Sequence, residues 1–154
     1  MSTIEQRLEQ AGHALPAVSK PLAAYVPVMR DGDTIYTSGQ LPVVDGNLVA
    51  TGKVGEAVSV EDAQCYARTC VLNGLAAIKA EIGDLEKITQ ITKVVGFVSS
   101  VSDFAEQHIV LNGASEFLGE IFGEKGTHAR SAVGVAMLPM NAPVEVEMIV
   151  KVRA

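Results

Sequence analysis

Tryptophan is absent from this 154-residue chain, and aromatic residues make up only 5% of it. A surface that stacks nucleobases needs aromatic rings, so no base-stacking platform is expected. Basic residues are also scarce: 12 Lys and Arg stand against 18 Asp and Glu, a formal net charge of −6, and no stretch forms a basic stripe. That balance repels a phosphate backbone, so no nucleic-acid partner is expected. No apolar run approaches the roughly 20 residues that a membrane span needs. The start, Met1-Ser2-Thr3-Ile4-Glu5-Gln6-Arg7, is polar and lacks the apolar core of a secretion signal. A cytoplasmic protein with no membrane partner is the expectation.

Cysteine is equally sparse, with Cys65 and Cys70 alone. On one helix, a separation of five residues puts their Cα atoms about 7.5 Å apart along the axis. A disulfide rarely reaches beyond about 7 Å, so two free thiols in a reducing compartment are expected. The three histidines, His13, His108 and His128, match no zinc spacing, so no metal site is expected.

What is present is apolar. Hydrophobic residues are 48% of the chain and charged ones 19%, which excludes a disordered or low-complexity protein. There is no internal repeat and no linker, so residues 1–154 read as one domain with one core, residues 1–14 forming an N-terminal helical extension. Ser2-Thr3-Ile4-Glu5 reads as a capping box, with Ile4, Leu8 and Ala11 on one helix face and Gly12 as the stop. Pro16, Pro21 and Pro27 keep the next stretch extended or irregular.

A hairpin follows, Val26 to Met29 and Thr34 to Ser38 flanking Arg30-Asp31-Gly32-Asp33; Asp45-Gly46-Asn47 is a second turn. Ser59 opens the longest helical pattern, which ends near Ile82 and Gly83 and carries Ala63, Ala67, Cys70, Val71, Leu75 and Ile78 on one face. Ile88 to Val101 reads as a strand, His108 to Phe122 as a second helix, and Ser131 to Leu138 as another strand. The run Val144 to Val152 alternates most strictly, valines and Met148 against Glu145, Glu147, Ile149 and Lys151. The order implies an α+β fold, a mixed sheet with two main helices on one face. The opposite face is expected to carry Ala132, Gly134 and Ala136 beside the carboxylates. Such a face suits sheets of several subunits meeting around an axis, with plain solvent exposure as the other reading.

Three clusters hold candidate chemistry. Thr37-Ser38-Gly39-Gln40 places hydroxyls beside a glycine at a strand end, as an ordinary strand terminus or as a place where backbone N–H groups meet an anion. Arg130 enters an otherwise apolar strand, and a guanidinium there needs an anion. Two partners are open to it: Glu145 on the adjacent strand, or a ligand carboxylate gripped by the bidentate fork. Glu145 and Glu147 share a strand face, as an acid–base pair or as a salt-bridged surface. Neither Ser38 nor Ser131 has the His–Asp pattern of a nucleophile.

In this order the pieces resemble the reactive-intermediate deaminase (RidA/YjgF) family. They are Tyr36-Thr37-Ser38-Gly39-Gln40-Leu41-Pro42, Asn112-Gly113-Ala114-Ser115-Glu116, Ala129-Arg130-Ser131, Val135-Ala136-Met137-Leu138-Pro139 and Val144-Glu145-Val146-Glu147. The resemblance runs over roughly residues 18 to 153. It implies a chorismate-mutase-like α+β fold and a homotrimer with ligand clefts between subunits. It also implies hydrolysis of reactive enamines and imines to 2-keto acids and ammonia without metal or cofactor. By position, Arg130 corresponds to the arginine that binds the substrate carboxylate and Glu145 to the acid that handles water. Ser38, Gly39, Tyr25 and Asn112 correspond to pocket residues. The sequence departs from the family pattern at Ala132, where a cysteine is common, and at Gly126-Thr127-His128-Ala129, where an aromatic-proline pair is usual. These departures mark a divergent, longer branch; His128 is a pocket residue or a loop residue. A non-catalytic binder of 2-keto acids is the alternative function, and the acidic balance argues against the third, an endoribonuclease.

Overall fold

The computed structural model describes residues 3–18 and 24–154. Its first element is α1, Ile4–Gln10, which starts where Ile4 and Leu8 can both reach the core. The cap is Thr3, one residue later than the sequence implied. Its hydroxyl accepts from the Gln6 N–H at 3.1 Å, and the Thr3 N–H donates to the Gln6 side chain at 2.9 Å. The expected cap, Ser2, lies outside the described residues.

Strands β1 (Val28–Asp31) and β2 (Thr34–Thr37) pair across the two-residue loop Gly32-Asp33, so β1 begins two residues later than expected. Only Gly32 of that loop has positive φ, 61°, the pattern of a type II′ turn. Two short strands, β3 (Val43–Val44) and β4 (Asn47–Leu48), form a second hairpin. Helix α2, Val60–Ile82, follows; the Ser59 hydroxyl accepts from the Asp62 N–H at its start, and Gly83 ends it. Then come β5 (Ile88–Ser99), α3 (Gln107–Phe122), β6 (Ala129–Val135) and β7 (Val144–Val152).

The five long strands form one sheet in the order β1-β2-β7-β5-β6, with β5 and β6 parallel and the other pairs antiparallel. Helices α2 and α3 cover one face, where Val144, Val146, Met148, Val150 and Val152 point. Completely buried residues such as Ile35, Leu75, Ile78, Ile91 and Leu111 each contribute about 1.5–3 kcal/mol by leaving water. The helices meet closely because Gly113 of α3 lies against the Gln64 backbone of α2, where a Cβ would find no room. Both cysteines are free, Cys70 buried in α2 and Cys65 exposed.

The uncovered face differs from the expectation. Strand β6 starts at Ala129 rather than Ser131, and its register with β5 puts Arg130 opposite Val94, which is buried under the helices. Ala132 and Gly134 therefore face the helices too: Ala132 packs on the core, and a Cβ at Gly134 would meet Gln107 of α3. The open face carries their larger neighbours instead. Val133 (46% exposed) stands opposite Phe97, Phe97 opposite Glu145, and Tyr36 (44% exposed) opposite Ile149. Glu145, Glu147 and Lys151 are set among these apolar residues.

Candidate active site

Two clusters form, at different places, and the residues named from the sequence divide between them. The first borders a cavity of about 600 Å³ whose wall includes Tyr25, Gly39, Gln40, Leu41, Asn73 and Glu145. Gly39 is there because β2 ends at Thr37 and the chain then runs alongside β7. Gln40 and Val146 exchange backbone hydrogen bonds of 2.8 and 3.0 Å, which sets Gly39 against the neighbouring Glu145. No side chain intervenes, so the carboxyl lies directly over the glycine.

Glu145 is half-buried, and its pKa is pushed above the ordinary glutamate value. Desolvation is the larger cause, and the like charge of Glu147 on the same strand face adds to it. A carboxylate raised in this way is a better proton acceptor near neutrality than an exposed one. Beneath the wall, Cys70 is fully buried; its thiol is pushed well above its usual range by desolvation first and by the charge of Glu145 second. It is a packing residue rather than a nucleophile.

Ser38 does not join this cavity wall. Its hydroxyl donates to the Val26 carbonyl at 2.6 Å and its N–H to the Pro27 carbonyl at 2.8 Å, tying the segment after Tyr25 to the end of β2. One polar residue of the wall, Asn73, was by contrast not singled out from the sequence. Asn73 is 1% exposed and its side-chain amide donates to the carbonyls of Leu41 (3.1 Å) and Val43 (3.0 Å). The clue was an amide in the apolar face of α2, where burial demands partners. The side chain of Gln40 likewise donates to the Ser38 carbonyl at 3.3 Å.

The second cluster surrounds Arg130. Its Nη1 donates to Asn112 Oδ1 at 2.9 Å and to Ser115 Oγ at 3.1 Å, and its Nη2 to the His108 carbonyl at 3.2 Å. Residues 108, 112 and 115 recur at helical spacing, so one face of α3 holds the guanidinium. Ser115 Oγ lies 2.8 Å from His128 Nε2, and His128 Nδ1 lies 2.6 Å from the Gly126 carbonyl. Of these, Arg130 and Asn112 were expected at a site; Ser115 and His128 were not assigned one. Among the described residues the ion pairs are Lys79–Glu5 and Lys151–Asp33, so Arg130 has no carboxylate partner there.

The two clusters lie on opposite faces of the sheet. Arg130 is in register with Val94 and Val94 with Met148, on the helix side; Glu145 is in register with Phe97, on the open side. Within one chain, the arginine and the acid do not meet. Among the described residues no group of three or more His, Cys, Asp or Glu side chains could hold a metal ion. No helix there is long and apolar enough to cross a membrane.

Comparison with known proteins matches residues 5–152 to the family described as "YjgF/chorismate mutase-like, putative endoribonuclease". Protein TCP17 of Trypanosoma cruzi is 40% identical over 149 residues, 96% of this chain and 93% of that one. A 2-iminobutanoate/2-iminopropanoate deaminase of Dermatophagoides farinae is 32% identical over 136 residues, 88% of this chain and 91% of the relative. A solved structure of a protein of unknown function from Agrobacterium tumefaciens superposes with a TM-score of 0.92 at 46% identity, covering 99% of this chain and 93% of that one.

Proposed function

The chain belongs to the YjgF/chorismate mutase-like family, and from that membership we propose that it hydrolyses reactive 2-imino acids, and the enamines that tautomerise to them, to 2-keto acids and ammonia. The observation that carries the reading is the half-buried Glu145 carboxyl, held above its ordinary pKa on the wall of a cavity. A relative named for 2-iminobutanoate and 2-iminopropanoate deamination, 32% identical, supports the substrate class.

The chemistry asks little of the protein. An imine carbon is already electrophilic, so a bound substrate needs its carboxylate fixed and a water oriented beside it. Arg130 supplies the grip on the carboxylate. Water adds to C2 of the protonated imine while Glu145 takes one of its protons, giving a tetrahedral carbinolamine. Glu145 returns that proton to the nitrogen and then takes the hydroxyl proton as the C–N bond breaks, so that ammonia leaves a 2-keto acid. No metal or organic cofactor enters this sequence.

Because Arg130 and Glu145 lie on opposite sheet faces of one chain, the reading requires a neighbouring chain. A homotrimer whose open sheet faces meet around its axis would bury Val133, Phe97 and Tyr36 and set the arginine of one subunit beside the acid of the next.

The test generates imino acids in situ with an amino-acid oxidase and traps what remains with semicarbazide. Less semicarbazone with the wild-type protein, but not with Arg130→Ala, is the expected result. Binding of 2-oxobutanoate without any effect on imines would instead make the protein a non-catalytic carboxylate binder.

A further inference from the structure

We infer that His128, acting through Ser115, orients the Arg130 guanidinium and is thus a positioning residue for its ligand. The inference rests on the carboxylate-binding role proposed above for Arg130.

The hydrogen bonds of this cluster can be assigned a direction at every step. A carbonyl oxygen carries no proton, so the 2.6 Å contact between His128 Nδ1 and the Gly126 carbonyl requires the proton on Nδ1. In the neutral ring that leaves Nε2 with a bare lone pair. Ser115 Oγ, 2.8 Å away, then donates its single proton to Nε2. With that proton committed, a lone pair of the same oxygen is left to accept from Arg130 Nη1 at 3.1 Å. The relay runs Gly126 carbonyl, His128, Ser115, Arg130, and each link fixes the next.

Its effect is to hold one end of the guanidinium. Both Nη1 protons are taken, by Ser115 Oγ and Asn112 Oδ1, and one Nη2 proton by the His108 carbonyl. The Nε–H and one Nη2–H have no partner among the described residues, enough for a two-pronged grip on a carboxylate. A serine hydroxyl left free would rotate and could turn its proton towards Nη1, a donor facing a donor. His128 removes that option. This gives the histidine next to Ala129-Arg130 a reason to be where it is: the strand brings it alongside α3, onto which Arg130 also folds.

The first test needs no ligand. Nitrogen-15 spectra of the native protein should show His128 in the Nδ1–H tautomer, the less common form for a free imidazole. The Arg130 Nη signals should be separately resolved in wild type and averaged in Ser115→Ala. An Nε2–H tautomer overturns the relay.

The second test titrates 2-oxobutanoate into wild type, Ser115→Ala, His128→Ala, His128→Gln and Arg130→Ala. Each alanine variant at 115 or 128 should weaken binding about tenfold with an unchanged melting temperature. His128→Gln, whose amide oxygen can take the serine proton, should recover most of the loss. In an Arg130→Ala background the Ser115→Ala change should add nothing, as expected of residues acting through one another. Binding lost in Arg130→Ala but unchanged at 115 and 128 overturns the relay and leaves the arginine's role standing. Unchanged binding in Arg130→Ala overturns both.

Discussion

A Cβ built on Gly39 would lie 2.7 Å from Cδ of Glu145 and 2.8 Å from its Oε1. The glycine is needed for closeness rather than for an unusual backbone angle, since its φ lies outside the positive range. The obstructing atoms are the movable end of a side chain, so Gly39→Ala should fold normally and push the carboxyl out of place. Imine hydrolysis is expected to fall about 100-fold, the scale of a 1 Å misplacement, with an unchanged thermal midpoint. Wild-type turnover in this variant would remove Glu145 from the chemistry.

If Glu145 takes the proton from water, as proposed, it also fixes the pH dependence. Its raised pKa places the acid limb of the rate profile above the ordinary glutamate value of 4.5. Glu147→Gln deletes the smaller of the two causes, so the limb should move to lower pH while desolvation keeps it above 4.5. A limb that does not move would show that the profile reports another group.

The same shift has a consequence for stability. The folded chain holds the Glu145 proton more tightly than the unfolded chain does. Its contribution is therefore fully present below the unfolded pKa and is lost as pH rises through the folded one. Glu145→Gln is neutral throughout and escapes that loss. Relative to wild type, the variant should gain stability between about pH 4 and neutrality, measured by urea midpoints.

If each site takes Arg130 from one chain and Glu145 from the next, two inactive variants can repair each other. Arg130→Ala and Glu145→Gln proteins, unfolded together in equal amounts and refolded, should regain about a quarter of wild-type activity, the random share of sites receiving both intact residues. No recovery would mean that one chain supplies both groups or that the two do not cooperate.

Gly113→Ala tests packing instead of chemistry. Here the obstruction is the Gln64 backbone, which cannot swing away. Parting α2 from α3 should cost about 1–3 kcal/mol, read as a lower denaturation midpoint. An unchanged midpoint would mean that the helices already have slack.

Much of this architecture is legible in the residues. Ser59 and Gly83 bracket α2 because a hydroxyl cap and a glycine stop are local devices. The alternation of β7 names its buried side because every even-numbered residue from Val144 to Val152 is apolar. The orientation of β6 was not legible. Ala132 and Gly134 alternate with Val133 and Val135, both sets suit a buried face, and only pairing with β5 decides between them. Arg130 followed the same ambiguity, and its partners sit on α3, far away in sequence. Ser115 and His128 were invisible as a pair for a similar reason: their contact exists only after β6 folds alongside α3.

The sheet order carries a last implication, for how the chain is made. β7 stands between β2 and β5, yet it follows both in sequence. A ribosome must therefore deliver Val144 to Val152 before the hairpin of β1 and β2 can be joined to the pair of β5 and β6. Until then the growing chain holds two separate fragments of sheet, each with an unpaired edge exposed to other chains. Nonsense mutations upstream of Val144 should thus yield aggregates rather than a partly working protein.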